Sequence, residues 1–237
     1  MKKLIVLILL GALGWYGGSY LEGYSRKLDR QYAGEIFSSV DVGEQKLIAL
    51  TLDDGPWNQR HAQHSIDQLD RLGIKVTYFL NGRGIKANMP LVKQMVRRGH
   101  QIGNHSYNHK KMYFMLPSTL EHKAGDTTRL IRESGYRGQI LFRAPYGRKL
   151  YSLPMYLAKR GIVSATWSIA PEWPAHASPQ ALADTIVKQV KPGSIILLHP
   201  LNNSNEQSRQ AIELFVPTLK RMGYQFVTLN QLRAAGE

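Results

Sequence analysis

The chain has 237 residues, which is enough for one catalytic domain with a buried core and a short extension. It contains no cysteine, which excludes disulfides, thiolate metal sites, a cysteine nucleophile and a lipid-modified N-terminal cysteine. The 31 lysines and arginines exceed the 17 acidic residues, and the net charge of +14 favours contact with polyanions such as nucleic acid, anionic lipid or acidic cell-wall polymer. A charge that only confers solubility is the alternative interpretation.

Residues 1–21 are predicted to be a signal peptide or a membrane anchor. Lys2 and Lys3 precede the uncharged stretch Leu4–Leu21, and Leu4–Leu10 is continuously aliphatic. A charged start followed by an apolar run is typical of a secretory signal, and the stretch is close to the roughly 18 residues that suggest a membrane helix. A buried core helix is the alternative. An export segment predicts an extracytoplasmic domain, whether secreted, periplasmic or anchored to the membrane.

Residues 22–45 are polar and irregular and are predicted to be a connector, so the catalytic domain is expected at 46–237. In that domain, β-rich runs alternate with segments of helical spacing, such as Met89–Arg98. Most of the runs are continuously apolar, as strands buried on both faces should be. The predicted strands are Leu47–Leu52, Val76–Leu80, His100–Gly103, Ile140–Phe142, Ile162–Trp167, Ser194–Leu198 and Tyr224–Thr228.

The ends of the helices are also marked in the sequence. Ser118 and Glu121 match a capping box. Glycines at the expected position of a left-handed cap follow five helix-like segments. They are Gly73, Gly99, Gly135, Gly161 and Gly223.

Strands that alternate with helices predict parallel βαβ units and an α/β fold. A closed or nearly closed (β/α) barrel of about seven parallel strands is the leading architecture, and an open doubly wound sheet is the alternative. Both place functional residues at the C-terminal ends of the strands. Polar side chains that can perform chemistry should therefore cluster directly after strands.

The first predicted strand runs into Asp53 and Asp54, which Gly55-Pro56 follows. Neighbours in an extended chain point to opposite sides, so one carboxylate is predicted to bind a metal while the other faces the substrate. The third strand runs into His105 and His109, whose i, i+4 spacing predicts that they share one face of a helical turn. Two histidines and one carboxylate suit a catalytic cation such as Zn²⁺. A solvated turn and a surface histidine pair are the respective alternatives.

Three later strands also end in reactive residues. Arg143 follows the fourth and can hold a carboxylate in a bidentate fork, and the N–H of Tyr146 follows a proline and is free to face a ligand. Glu172 follows the fifth strand and is a candidate partner for a histidine. His199 follows the sixth and is a candidate general acid. A structural ion pair for Arg143 and a buried core histidine at 199 are the alternatives.

These segments, in this order, resemble the polysaccharide deacetylase family of carbohydrate esterases, also called the NodB homology domain or carbohydrate esterase family 4. The resemblance covers roughly residues 45–232, and its motifs fall at Thr51–Pro56, His105–His109, Arg143–Gly147 and Leu197–His199. It implies a distorted (β/α) barrel. One position departs from the family pattern, because Glu172-Trp173 stands where the family usually has Asp-Trp.

The resemblance also implies the role of each residue. Asp54, His105 and His109 correspond to the metal ligands, and Asp53 corresponds to the catalytic base. The remaining positions support the reaction. They are His199 as general acid, Arg143 as the residue that orients the base, the Tyr146 N–H as oxyanion donor, and Glu172 as the residue that orients His199.

The expected function is metal-dependent removal of N-acetyl groups from a glycan outside the cytoplasm, with Zn as the first choice of metal and Co, Ni or Mn as alternatives. The expected partner is an acylated glycan, with membrane contact through the N-terminal segment. Peptidoglycan or another anionic cell-wall polymer, chitin-like oligomers, an exopolysaccharide and a lipid-linked sugar are the candidate glycans. Nucleic acid is not expected, because no recognition motif accompanies the charge. An O-acetyl esterase and a catalytically inactive basic glycan-binding module are the alternatives.

Overall fold

The computed structural model describes residues 15–21, 23–25, 27, 29–171, 178–202 and 205–237. Residues 15–21 and 23–25 are helical. The strands that follow are β1 Ile36–Phe37, β2 Leu47–Asp53, β3 Thr77–Leu80, β4 Gln101–Asn104, β5 Ser164–Ala165, β6 Ile195–Leu198 and β7 Gln225–Phe226. The α-helices are α1 Gln59–Leu72, α2 Gly82–Ala87, α3 Met89–Arg97, α4 Pro117–Leu120, α5 Asp126–Glu133, α6 Ser152–Ala158, α7 Pro179–Gln189, α8 Glu206–Arg221 and α9 Leu229–Ala234.

Every pair of these strands is parallel, which confirms the predicted α/β class. The central sheet has the order β4-β3-β2-β6, β7 pairs with the start of β2, and β1 pairs with β5. Among the described residues, the strands do not close into a barrel. Between β4 and β6 the ladder is reduced to single bridges, at Asn104↔Phe142, Phe142↔Ser164 and Ile169↔Ile196.

The predicted strand Ile140–Phe142 is therefore wrong as a ladder strand, since it contributes only the bridges of Phe142. The chain turns three residues later in a 3-10 turn, Pro145–Gly147. Pro145 has no N–H to donate to a ladder, so pairing cannot extend through this segment. Described pairing between β4 and β6 is therefore limited to isolated bridges.

Side-chain alternation along β2 decides what faces the site. Ile48, Leu50 and Leu52 belong to the main core cluster, which packs the sheet against helices such as α1 and α8. Ala49 faces the opposite side, in a second cluster with Phe79, Leu141, Ala165 and Ile195. Thr51 and Asp53 share the parity of Ala49, so both point to the inside of the strand array.

The predicted helix ends are correct at the glycines and wrong at Ser118. All five predicted cap glycines have positive φ, and Gly73 is the left-handed cap of α1. Ser118 is not a cap, because α4 already begins at Pro117 after Leu116. Proline at the first helical position has a φ angle preset for the helix. A capping box is found instead at Thr228 and Gln231 of α9.

The predicted connector, residues 22–45, is partly built into the fold, because β1 lies inside it and pairs with β5. Val40 also approaches the turn before β6, where its N–H donates to the Gly193 carbonyl at 3.1 Å. Most of the predicted signal or anchor at 1–21 lies outside the described residues. Within the described residues, no helix combines the length and apolar character needed to cross a bilayer.

Candidate metal centre and active site

The two aspartates at the end of β2 are both buried and both turn toward His105. Nε2 of His105 lies 3.7 Å from Oδ2 of Asp53 and 3.8 Å from Oδ1 of Asp54. The prediction that neighbouring carboxylates would point to opposite sides is wrong, because Asp54 has a left-handed φ of 78° rather than an extended one. Its N–H donates to the Phe79 carbonyl at 3.1 Å, which stabilises this turn.

Neighbouring loops hold the segment after Asp54 in place. The Asn81 N–H donates to the carbonyl of Gly55 at 2.9 Å, and Nδ2 of Asn88 donates to the carbonyl of Pro56 at 2.9 Å. Gly84 permits close packing, because a Cβ there would lie 2.5 Å from the Gly55 oxygen. Sequence reasoning missed these residues, although asparagine and glycine at the start of helices after β3 are a detectable signal.

His105 and His109 come together through a loop and not through the helical turn that their spacing predicted. Ser106 and His109 both have left-handed φ angles, 64° and 55°. Oδ1 of Asn104 accepts from the Ser106 N–H at 2.9 Å, and Oγ of Ser106 accepts from the His109 N–H at 3.2 Å. These bonds close the loop and place the two rings 4.9 Å apart between centroids.

Asp54, His105 and His109 together form a donor set for one cation. One ligand atom from each lies within 4.8 Å of the others, and Nε2 of His109 is 3.3 Å from Oδ1 of Asp54. Two ligands of a tetrahedral Zn²⁺ are separated by about 3.4 Å, given bonds near 2.1 Å. The set therefore needs only small movements to close on an ion.

The polar atoms around this set fit a divalent cation. Oδ1 of Asp54 is buried and has no hydrogen-bond partner in the described part of the chain, while its Oδ2 accepts from Nδ2 of Asn202 at 2.9 Å. Nδ1 of His105 lies 2.8 Å from the carbonyl oxygen of Arg143 and must donate to it. The lone pair of Nε2 is then directed at the carboxylates, as a metal-binding imidazole requires.

Charges in the site favour the ligand-competent protonation states. Burial raises the pKa of Asp54, but His105, His109, His199 and the bond from Asn202 together outweigh it and lower that pKa overall. Burial lowers the pKa of His109, His105 lowers it further, and Asp54 opposes both. An ionised carboxylate beside a neutral imidazole is the state that binds a cation.

Arg143 is fully buried and holds Asp53 in place. Its Nη1 donates to Oδ1 of Asp53 and to Oγ1 of Thr51, each at 2.7 Å. Nε donates to the Ala165 carbonyl at 3.1 Å and Nη2 to the Thr166 carbonyl at 2.6 Å. The predicted bidentate fork is therefore wrong, because Nε and Nη2 bond backbone carbonyls and only Nη1 bonds Asp53. The guanidinium fixes one oxygen of Asp53 and leaves the other facing the metal centre.

Tyr146 lies in the 3-10 turn Pro145–Gly147 and has a left-handed φ of 59°. Its ring is exposed and lies 4.6 Å from the ring of His109 between centroids. Its backbone N–H donates to no other residue in the described ranges. The position is therefore suited to a donor for a ligand beside the cation.

His199 lies directly after β6 and is half-buried. It is close enough to Asp54 and His109 to lower the pKa of each. Its carbonyl accepts from the N–H of Asn202 at 3.2 Å, so the residue that bonds Asp54 also shapes this loop. Glu172 and Trp173 lie outside the described residues, and the role of Glu172 stays a prediction.

Known proteins resemble this chain in amino-acid sequence. The family model for polysaccharide deacetylases matches residues 41–165. A peptidoglycan-N-acetylglucosamine deacetylase of Bacillus cereus is 32% identical over 190 residues, which cover 79% of this chain and 88% of that protein. A chitooligosaccharide deacetylase of a Bradyrhizobium species is 27% identical over 204 residues, covering 81% of this chain and 93% of that protein.

A solved structure adds a metal to the comparison. A family 4 acetyl xylan esterase from Clostridium thermocellum, in complex with a cobalt ion, superposes with a TM-score of 0.72. It is 30% identical, and the match covers 80% of this chain and 91% of that one. With the family model spanning more than half of the sequence, the chain belongs to the polysaccharide deacetylase family.

Proposed function

We propose that this chain is a divalent-metal-dependent hydrolase that removes N-acetyl groups from an N-acetylated glycan outside the cytoplasm. The observation that carries the proposal is the buried Oδ1 of Asp54, which accepts no hydrogen bond in the described part of the chain and lies 3.8 Å from Nε2 of His105 and 3.3 Å from Nε2 of His109. The deacetylases of peptidoglycan and of chitooligosaccharides among its relatives support the substrate class.

Asp54, His105 and His109 would hold the metal. Zn suits two imidazoles and a carboxylate, and Co, Ni and Mn are alternatives. When bound, the ion supplies Lewis-acid polarisation of the acyl carbonyl and lowers the pKa of water. The family's metal dependence and the cobalt in the acetyl xylan esterase structure support this assignment.

Asp53 acts as the general base. Its Oδ1 is engaged by Nη1 of Arg143, while Oδ2 lies 3.7 Å from Nε2 of His105 and faces the reacting groups. Oδ2 therefore accepts the proton of the attacking water. Arg143 is a positioning residue in this scheme, because it contacts the base and not the substrate.

The N–H of Tyr146 donates to the oxyanion that forms at the acyl carbon. A preorganised donor of this kind contributes about 2.7–4 kcal/mol to a transition state. His199 then protonates the nitrogen of the departing amine, since an amide needs that proton to break its C–N bond. Glu172 would orient His199, although the side chain is one methylene longer than the usual aspartate.

The test uses the purified full chain loaded with Zn²⁺ or Co²⁺ and incubated with chitooligosaccharides and with peptidoglycan. We expect release of acetate and an equal number of new free amines. Asp53→Asn is the matched control, because it leaves the three ligands in place and removes the base. No release from any acylated glycan, with metal bound to the protein, would contradict the proposal.

Two alternatives are separated by the same assay. The acetyl xylan esterase relative favours an O-acetyl esterase as the second candidate, which would release acetate without new amines. A catalytically inactive basic glycan-binding module would retain glycan without releasing acetate. The extracytoplasmic location rests on the run Leu4–Leu10 behind Lys2 and Lys3, and a reporter fused after residue 45 that is active only outside the cytoplasm tests it.

A further inference from the structure

A mainly apolar groove of about 420 Å³ lies at the far ends of two loops that leave the candidate active site. Its lining includes Phe114, Met115, Leu120, Tyr151 and Met155. Phe114 follows His109 by five residues, and Tyr151 follows Tyr146 by five. Five residues of extended chain span at most about 18 Å, so the groove borders the site.

Large apolar side chains around this groove are exposed. The exposed fraction is 67% for Phe114, 70% for Leu116, 48% for Tyr151 and 58% for Tyr32. The rings of Tyr32 and Tyr151 lie 4.7 Å apart between centroids. These four residues are here named the aromatic patch. A grouped set of exposed apolar side chains marks an interaction surface more often than single exposed ones do.

The N-terminal segment leaves the domain at the aromatic patch. Tyr32 belongs to both, and Nζ of the buried Lys149 donates to the carbonyl of Lys27 at 2.5 Å. These contacts attach Lys27 and Tyr32 to the loop that carries Tyr151.

The sequence before that attachment contains two stretches that suit lipid. The helical residues 15–21 expose Trp15, Tyr16 and Tyr20, and tryptophan and tyrosine are enriched at membrane–water interfaces. The chain before them contains the aliphatic run Leu4–Leu10. Along the sequence, the aromatic patch is therefore linked through Tyr32 and Lys27 to the part of the chain that is most compatible with a bilayer.

Cationic side chains border the aromatic patch. Lys110 and Lys111 are exposed between His109 and Phe114, and Lys159 and Arg160 contribute to the groove. Glu121 pairs with Arg160 at 2.6 Å, so the lysines supply most of the local surplus of positive charge. Together with the net charge of +14, this complements an anionic surface.

We propose that the aromatic patch is a membrane-docking surface that seats in the headgroup region of an anionic bilayer, as a second contact beside the N-terminal run. Aromatic side chains with an apolar body and lysines with a charged end suit that interface. Charge and continuity with the N-terminal segment favour lipid over a neutral glycan or a second copy of the chain. Docking does not depend on hydrolysis, so its test is independent of the proposed function.

The absence of cysteine from the sequence allows a direct test in the full chain. Phe114→Cys and Leu116→Cys are labelled with an environment-sensitive fluorophore and mixed with vesicles of phosphatidylcholine alone or with phosphatidylglycerol added. Leu214→Cys is the matched control, because Leu214 is 40% exposed and lies in α8, outside the patch. Sedimentation reports total binding, and thermal unfolding reports whether each variant is folded.

We expect a blue shift and a several-fold rise in emission at positions 114 and 116 with the anionic vesicles, weakened by added salt, and no change at position 214. Three results would overturn the proposal. In the first, the protein sediments with vesicles but the emission of the probes at 114 and 116 does not change. In the second, the probes respond equally to neutral and to anionic vesicles. In the third, the probes respond without vesicles when chitooligosaccharide is added or when the protein concentration is raised. The last would assign the patch to glycan or to self-association.

Discussion

Nδ1 of His105 lies 2.8 Å from the backbone carbonyl oxygen of Arg143, and the side chain of the same arginine donates to Oδ1 of Asp53 at 2.7 Å. One residue thus orients an imidazole through its backbone and a carboxylate through its side chain. The segment after Leu141 therefore couples the ends of β2 and β4. Substitutions at Arg143 change the carboxylate contact and leave the imidazole contact in place.

Arg143→Met is expected to destabilise the fold by about 3–5 kcal/mol, because it leaves the buried Asp53 carboxylate without its cation. Urea unfolding in the presence of chelator measures the loss. Arg129→Met is the control, since Arg129 pairs with Glu133 at 2.6 Å but the two side chains are 62% and 48% exposed. The control should change stability by less than about 1 kcal/mol, and similar losses in both variants would contradict a dominant role for the buried pair.

Asn202→Ala is expected to weaken metal binding by about 10–100-fold, because it removes the hydrogen bond that orients Oδ2 of Asp54. Competition with a fluorescent chelator measures the dissociation constant. Asn230→Ala is the control, because Asn230 accepts a hydrogen bond from Gln101 at the start of β4, whereas the metal ligand His105 follows the end of that strand. Unchanged affinity in Asn202→Ala would show that the loop after β6 does not orient the ligand.

Sequence periodicity was sufficient to predict the strands that form the centre of the sheet. The runs at 47–52, 76–80 and 194–198 are apolar apart from one serine or threonine each, because helices or the inner cluster cover both faces, and all three contain ladder strands. The run at 162–167 is paired only at Ser164–Ala165, so periodicity overstated its length. Pairing depends on neighbours in space, and the neighbour here is the interrupted segment around Phe142.

The geometry of the site could be predicted only in outline. Motif positions placed the aspartates and histidines at strand ends, but their convergence depends on left-handed backbone at Asp54, Ser106 and His109. Non-glycine residues rarely adopt that conformation, and nothing in the local sequence specifies it. Distant contacts do, as with the bond from Asn202 to Asp54 across 148 positions of the chain.

His100 is expected to make stability depend on acid pH. Burial lowers its pKa from 6.5 to about 4, and its Nδ1 accepts from the Val76 N–H at 3.3 Å, which requires the neutral ring. As pH falls from about 6.5 to about 4, the unfolded chain takes up a proton here that the folded chain does not. The free energy of unfolding therefore falls through that window, by on the order of 2–3 kcal/mol.

The measurement compares unfolding of the wild type with that of His100→Asn, which keeps an acceptor near Val76, between about pH 7 and about pH 4.5 in chelator. The wild type should lose more stability than the variant over this range. Contributions of the other histidines cancel in the comparison. Parallel pH profiles would show that His100 is not the group responsible.

Gly193→Ala is expected to destabilise the fold more than Gly135→Ala. Both glycines have positive φ, 78° and 94°, so both variants carry the cost of left-handed backbone. Of the two, only at Gly193 would the new Cβ collide, with the carbonyl oxygen of Val40. The collision should add about 1–3 kcal/mol, measured as the difference between the two variants in urea. Equal losses would mean that the segment around Val40 moves away at no cost.

His199→Ala is expected to separate amide from ester hydrolysis. Loss of a positioned proton donor costs about 10²–10⁴-fold in rate when the leaving group must be protonated. An amine leaving group requires that proton, whereas an alkoxide of an acetyl ester depends on it less. We therefore expect kcat on an N-acetyl glycan to collapse while kcat on an O-acetylated one falls far less.

Metal content is measured in the variant, because His199 lies near Asp54 and His109. His64→Ala, at an exposed position of α1, is the matched control. Equal loss on both substrates, with metal retained, would assign His199 to a step before the leaving group departs.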